Sequence, residues 1–184
     1  MAESDTPRAP SLPCAVTYRR LAASDAPFLR KLMTMPAWIA NIGDRGIRSD
    51  ADALAYWREK IAPACTTRAL GNYAICCDGL AVGTIGIYAR PGLEQPDLGF
   101  ALLPDYRRRG LAEAAARWSI GLAREESIPR LSAIVLPANE PSRRLLAKLG
   151  FRCADRIRLR EDADELERWE LVVDERFHDE RRTT

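Results

Sequence analysis

Two β-type runs, Asn72 to Cys77 and Leu80 to Tyr88, are joined by nothing but Asp78-Gly79. Such a short connection predicts a type I′ turn, because both central residues need positive φ and Asp-Gly adopts it readily. The middle of the chain is thereby committed to an antiparallel hairpin. A third run, Asp97 to Leu103, follows the Arg90-Pro91-Gly92 turn and stops at Pro104. After Gly110 the period changes: Leu111, Ala115, Trp118 and Leu122 share one helical face, and a strand from Leu131 to Leu136 comes next. Asn139 caps a further helix that ends at Gly150, placed for the left-handed C′ position with Phe151 folding back onto Leu146. Two last strands, Arg152 to Leu159 and Glu165 to Val173, flank the acidic turn Glu161 to Asp164.

The front of the chain is helical after one short strand, Val16 to Leu21. Ser24 is predicted to cap a helix with Pro27 in its first turn and Phe28, Leu29, Leu32 and Met33 as its apolar stripe. Ser49-x-x-Asp52 reads as a capping box ahead of Leu54, Trp57 and Ile61. The segment Trp38 to Arg48 between the two helices reads as a loop. Strand, helix, strand, helix, strand after a hairpin predicts one α+β domain over residues 16–173, with helices on both faces of a mixed, mostly antiparallel sheet. Residues 1–15, with Pro7, Pro10 and Pro13, read as a flexible leader, and 174–184 as a charged tail. Trp57, Trp118 and Trp169 fall on apolar stripes or a strand and are expected in the core.

Composition removes several chemistries. The chain has one histidine, His178, in the charged tail. A Ser-His or Cys-His nucleophile has no partner here, and most zinc sites lack their usual ligand, so no metal is expected. Lys plus Arg exceeds Asp plus Glu by 28 to 26, which gives no general field for nucleic acid or anionic lipid. Only Lys31, Lys60 and Lys148 are lysine, so the positive charge is almost entirely arginine, suited to forked contact with carboxylate or phosphate. No apolar run approaches the roughly 18 residues of a membrane span, and the first 15 residues lack signal-peptide character, so the expected location is cytoplasmic. Five cysteines without a Cys-x-x-Cys are then expected to be reduced. Cys76 and Cys77 would point to opposite faces of one strand.

Leu102-Leu-Pro-Asp-Tyr-Arg-Arg-Arg-Gly-Leu-Ala112 joins a strand end to a helix start through a basic, glycine-containing loop. Unpaired amides and the positive end of a helix dipole converge at such a junction, which is how a phosphate or pyrophosphate is held. The same residues also fit a solvated basic turn. The dinucleotide and P-loop signatures are both absent.

The wider block Asp97 to Ala112 resembles the acetyl-CoA-binding motif of the Gcn5-related N-acetyltransferases (GNAT), Gln/Arg-x-x-Gly-x-Gly/Ala, matched by Arg107, Gly110 and Ala112. Asn139-Glu-Pro-Ser-Arg-Arg-Leu-Leu-Ala-Lys-Leu-Gly-Phe151 looks like the family's second motif. The opening Tyr18-Arg-Arg-Leu21 and its helices resemble the branch that includes ribosomal-protein alanine acetyltransferases. The resemblance spans roughly Thr17 to Val173.

This resemblance implies an acyl-CoA-dependent N-acyltransferase, with acetyl-CoA as donor and a primary amine, small molecule or protein N-terminus, attacking directly through a tetrahedral intermediate. The alternative is a catalytically silent acyl-CoA sensor or scaffold. It implies a bulged strand over Asp97 to Leu103, diverging from Leu131 to Leu136, with amides near Leu102 and Leu103 on pantetheine. Arg107, Arg108, Arg109, Gly110, Leu111 and Ala112 would hold the pyrophosphate and Asn139 the cofactor arm. Asp97 is the implied base. Many relatives carry a tyrosine acid where this chain has Leu146; resemblance to the ribosomal branch implies that Ser142 could serve instead, with a structural role for Ser142, another tyrosine or water as the alternatives. The acceptor side would be Trp38, Asn41, Asp44, Arg45 and Arg48, with Tyr73 and Tyr88 on nearby strands. Arg45 and Arg48 suit an anionic group and Asp44 an ammonium.

Overall fold

The computed structural model describes residues 14–159 and 164–173. Most of the leader, the centre of the acidic turn and the tail with His178 lie outside the described residues. Seven strands form one sheet: β1 (Val16–Arg20), β2 (Gly71–Cys77), β3 (Leu80–Tyr88), β4 (Asp97–Leu102), β5 (Arg130–Val135), β6 (Arg152–Ile157) and β7 (Leu166–Val172). Their order is β1-β2-β3-β4-β5-β7-β6. All pairs are antiparallel except β4 with β5. The helices of seven residues or more are α1 (Ala26–Met33), α2 (Pro36–Ile42), α3 (Asp50–Tyr56), α4 (Leu111–Glu125) and α5 (Glu140–Lys148). None is long and apolar enough to cross a membrane.

The central hairpin forms as its turn residues require, with Asp78 at φ 50° and Gly79 at φ 82°. Strand alternation then sorts side chains to two cores. On one face Ile85, Ile87, Leu98, Leu102, Leu131 and Ala133 pack with Leu111 and Ala115 of α4 and Leu146 of α5. Fully buried leucines such as Leu111, Leu131 and Leu146 each contribute roughly 1.5–3 kcal/mol. On the other face Ala74 and Cys76 pack with Leu29 and Met33 of α1, Ala53 of α3 and Ile61. Cys76 and Cys77 thus point oppositely, as adjacent strand residues must.

Trp57, Trp118 and Trp169 make packing contacts and structural hydrogen bonds. Trp118 stacks on Tyr18 at 4.3 Å and meets Tyr73 edge-on at 4.7 Å. Trp57 Nε1 donates to the Leu21 carbonyl, and Trp169 Nε1 donates to Glu167.

Capping agrees with the sequence at two of three helices. Ser49 Oγ accepts from the Asp52 amide while Asp52 accepts from the Ser49 amide. The Gly150 amide donates to Ala147 O and the Phe151 amide to Leu146 O, both 3.0 Å, a Schellman closure of α5. Ser24 does not cap α1. It lies in a 3₁₀ turn, Ala23–Asp25, and the Asp25 carboxylate makes the equivalent contact by accepting from the Ala22 amide at 2.8 Å.

Three further expectations are corrected. The segment after Trp38 is not all loop: Pro36 is pre-organised for a first helical turn and Gly43, at φ 105°, ends α2. The β4 strand carries no bulge, since its register with β3 runs unbroken from Tyr88↔Asp97 to Gly83↔Leu102. The cysteines are not all reduced: Cys14 is disulfide-bonded to Cys77, with Cα atoms 5.5 Å apart. Val16 pairs with Cys77 in the β1–β2 register, which carries Cys14 to the same sheet edge. The Ala15 amide donates to Asp78 Oδ1 and the Asp78 amide to Ala15 O, which ties Ala15 to the hairpin turn.

Candidate active site

The parallel pair β4–β5 is the discontinuity in the sheet. Its register is the single pair Asp97↔Ser132, with the Ser132 amide donating to Pro96 O at 2.8 Å. Beyond that rung the strands splay, while β5 stays paired with β7 over its whole length. The edge of β4 therefore faces an opening. The Leu103 amide is not available to it, because it donates to Val82 O at 2.9 Å. That corrects the expectation for Leu103. Ladder alternation then turns the amides of Phe100 and Leu102 toward the opening.

Helices α4 and α5 begin just beyond the carboxyl ends of β4 and β5, the position at which open parallel sheets bind ligands. The path into α4 is a 3₁₀ turn at Pro104–Tyr106, then Arg107 to Arg109, then Gly110 as N-cap at φ 78°. Glycine has no side chain to cap the helix, so the first amides of this 15-residue helix are left for an external acceptor. Pro104, Asp105, Arg107, Arg108 and Arg109 line an open cavity of about 600 Å³. Arg107 Nε donates to Leu102 O at 3.1 Å, fixing the loop to the strand end, and the Arg109 guanidinium lies 5.8 Å over the Tyr106 ring. Arg108 is itself left-handed, φ 56°, a conformation disfavoured for arginine.

At the start of α5, Asn139 Oδ1 accepts from the Ser142 amide at 3.3 Å, so Asn139 is the N-cap and its side-chain NH₂ remains a donor. Ser142 is half-buried in the first turn. Leu146, one turn on, is 2% exposed within the core. The position that a tyrosine acid would occupy is here a packing residue.

Asp97 is buried at the closed end of the strand opening. Arg90 Nε and Nη2 both donate to its Oδ2, at 2.8 and 2.7 Å. Oδ1 has no hydrogen-bond partner among the described residues. Burial pushes the Asp97 carboxyl above its ordinary range, opposed by Arg90 and by the Ile134 backbone amide. Tyr88 is opposite Asp97 in the ladder, and its hydroxyl donates to Asn72 Oδ1 at 2.6 Å. Burial first, and then the Asp97 charge, raise the Tyr88 phenol. Sequence alone did not single out Arg90 or Asn72.

The remaining acceptor candidates divide. Trp38 packs against the α1–α3 core with its Nε1 buried and unpartnered among the described residues. Asp44 and Arg48 engage each other through two bonds, 3.0 and 2.6 Å, and the Arg48 bonds with the Gly46 amide lower the Asp44 carboxyl to about 2. The pair is self-neutralising, so neither charge stands alone for an acceptor as the sequence suggested. Exposed Arg45 and Asn41 donate to the Ile42 and Ala37 carbonyls. Tyr73 lies in the opposite core, its hydroxyl on Arg68 O at 2.7 Å, and is not near Tyr88's face of the sheet.

A family model for the acetyltransferase (GNAT) domain matches residues 15–152. The chain belongs to the GNAT acetyltransferase family. No curated protein matches the sequence. The solved GNAT structures it resembles include RimL, the ribosomal L7/L12 alpha-N-protein acetyltransferase, at TM-score 0.73 and 14% identity, covering 89% of this chain and 93% of that one. Spermidine N-acetyltransferase from Vibrio cholerae, solved with CoA and spermine, has TM-score 0.71 and 12% identity over 85% of this chain and 95% of its own. A Salmonella typhimurium protein solved with its cofactor acetyl-CoA has TM-score 0.64 and 16% identity, covering 89% and 97%. These likenesses are of fold. The splayed parallel pair and the uncapped helix behind a basic loop are built from this chain's own residues.

Proposed function

We propose that this GNAT protein is an N-acyltransferase that moves an acetyl group from acetyl-CoA to a primary amine. The observation that carries the reading is the strand opening bounded by the Phe100 and Leu102 amides and ending at the uncapped, arginine-flanked start of α4. A strand edge with free donors suits the amide-rich pantetheine arm. The amides from Gly110 onward and the arginines Arg107 to Arg109 suit a pyrophosphate, and Asn139 has NH₂ donors left for the arm.

Acetyl-CoA supplies the activated thioester when bound. The Leu102 amide donates to the carbonyl oxygen as negative charge develops there, an interaction worth roughly 3–4 kcal/mol in comparable acyl transfers. Asp97, at the other end of β4 from Leu102, takes the proton released by the amine nitrogen through intervening water as the nitrogen's bond to the carbonyl carbon forms, and passes it on to solvent. Ser142 donates its hydroxyl proton toward the sulfur as the carbon–sulfur bond breaks, and regains one from water. Tyr88 and Trp38 bound the acceptor approach on the α1–α3 face, with Arg45 at its outer loop and the Asp44–Arg48 pair holding that loop's shape.

Titration with acetyl-CoA tests the ligand. At 100 times Kd, stabilisation of about 2.7 kcal/mol is expected, and Arg107→Ala weakens it. Absence of any thermal shift at millimolar acetyl-CoA contradicts the reading.

A further inference from the structure

Arginine usually grips a carboxylate by two parallel bonds, one to each oxygen. Arg90 does otherwise: Nε and Nη2 converge on Oδ2 of Asp97, and Oδ1 is left buried without a partner. An orphaned buried acceptor is costly, and one retained beside a reaction centre calls for a reason. The Arg90 side chain is 32% exposed and that of Asp97 2%. Arg90 belongs to the segment Ala89 to Pro96 that lines a second cavity of about 340 Å³. The guanidinium thus reaches inward from a solvent-facing loop to a carboxylate the sheet has enclosed. The other groups around Asp97 are Tyr88 of β3 and the Ile134 amide of β5, with Tyr56 of α3 and Cys65 near Tyr88. Among these, Arg90 is the one positive charge.

We infer that Arg90 is a positioning residue for acyl transfer, holding Asp97 by Oδ2 so that Oδ1 is left as the proton-accepting atom, reached from the amine through water. The inference rests on Asp97 as the base proposed above. Arg90 favours the charged form of an enclosed carboxylate and fixes its rotation.

The test combines ¹³C NMR titration of the aspartate carboxyls in the free protein with kcat/KM–pH profiles of wild type, Arg90→Gln, Arg90→Lys and Asp97→Asn. Arg90→Gln keeps a donor and removes the charge. It is expected to raise the Asp97 midpoint by about one unit or more, and to move the acid limb of kcat/KM by the same amount with little change in acetyl-CoA affinity. Arg90→Lys is expected to recover most of the shift. In wild type the Arg90 Nε resonance is expected to report the Asp97 midpoint, a readout that does not depend on any variant folding. An Arg90 resonance blind to that titration overturns the inference, as does an Arg90→Gln acid limb superimposed on wild type while Asp97→Asn removes it. If Asp97→Asn leaves both rate and acid limb unchanged, the base reading falls and the role of Arg90 with it, even where NMR shows the two side chains coupled.

Discussion

The Tyr88 ring folds across Gly86 and Gly99 to set its hydroxyl on Asn72, a packing that Gly86 requires and that the missing side chain of Gly99 eases. A Cβ on Gly99 would sit 3.0 Å from Tyr88 Cε2, and one on Gly86 would sit 2.6 Å from Gly71 O and 2.7 Å from the Tyr88 hydroxyl. Gly86→Ala is therefore expected to cost about 1–3 kcal/mol in urea unfolding. Tyr88→Phe is expected to cost only about 1 kcal/mol, the net value of one hydrogen bond. If the ring bounds the acceptor approach, both substitutions raise the amine KM more than the acetyl-CoA KM.

The loop before α4 supports a pair of predictions with opposite signs. Gly110 is left-handed, so Gly110→Ala is expected to cost about 1–2 kcal/mol and to weaken acetyl-CoA binding. Arg108 is left-handed too, and Arg108→Gly relieves the conformation while removing a charge. That variant is expected to unfold at equal or higher denaturant while binding acetyl-CoA more weakly. Calorimetric Kd values and denaturation midpoints on the same samples check both.

Much of this arrangement is legible in the sequence, and the exceptions have physical reasons. Asp78-Gly79, Ser49-x-x-Asp52 and the Gly150 closure are local, because a turn or cap is decided by a few adjacent residues. The basic loop and its glycine are local too. Arg90 was not legible as a partner of Asp97, because their contact depends on the β3–β4 register bringing the two strand ends together. The Cys14–Cys77 bond depends likewise on the β1–β2 register. Leu103 differs for a subtler reason: which of two adjacent amides faces the opening is a matter of strand phase, and residue type does not record it.

Asp25 links stability to pH. Burial alone would raise its carboxyl, but the Arg19 bonds at 2.7 Å and the Ala22 amide outweigh this and leave it lowered. A depressed carboxylate contributes stability above its unfolded value near 3.9 and loses it as pH falls through the lower folded value. Asp25→Asn is expected to cost about 1–3 kcal/mol at pH 7, and less at pH 2–3, where the wild-type carboxylate is also being protonated. Urea unfolding at pH 7 and pH 2.5 measures the difference.

The disulfide predicts a thiol count. Cys65, Cys76 and Cys153 are free, so denatured, unreduced protein is expected to show three thiols and reduced protein five. The bond closes a sequence separation of 63 residues, for which chain entropy gives roughly 4 kcal/mol. Cys14→Ser is expected to unfold at a lower midpoint, one that reductant no longer changes. Five thiols without reductant would remove the bond from the account.

The central claim, acetyl transfer to an amine, is tested most directly by mass-spectrometric measurement of CoA and N-acetyl product formed from acetyl-CoA. The panel of amines includes peptides beginning with Ala or Ser, polyamines and amino acids. At least one amine is expected to give equimolar CoA and acetylated product, at a rate that collapses in Asp97→Asn. Acetyl-CoA bound tightly but left intact with every amine would contradict the account and leave a silent acyl-CoA-binding protein.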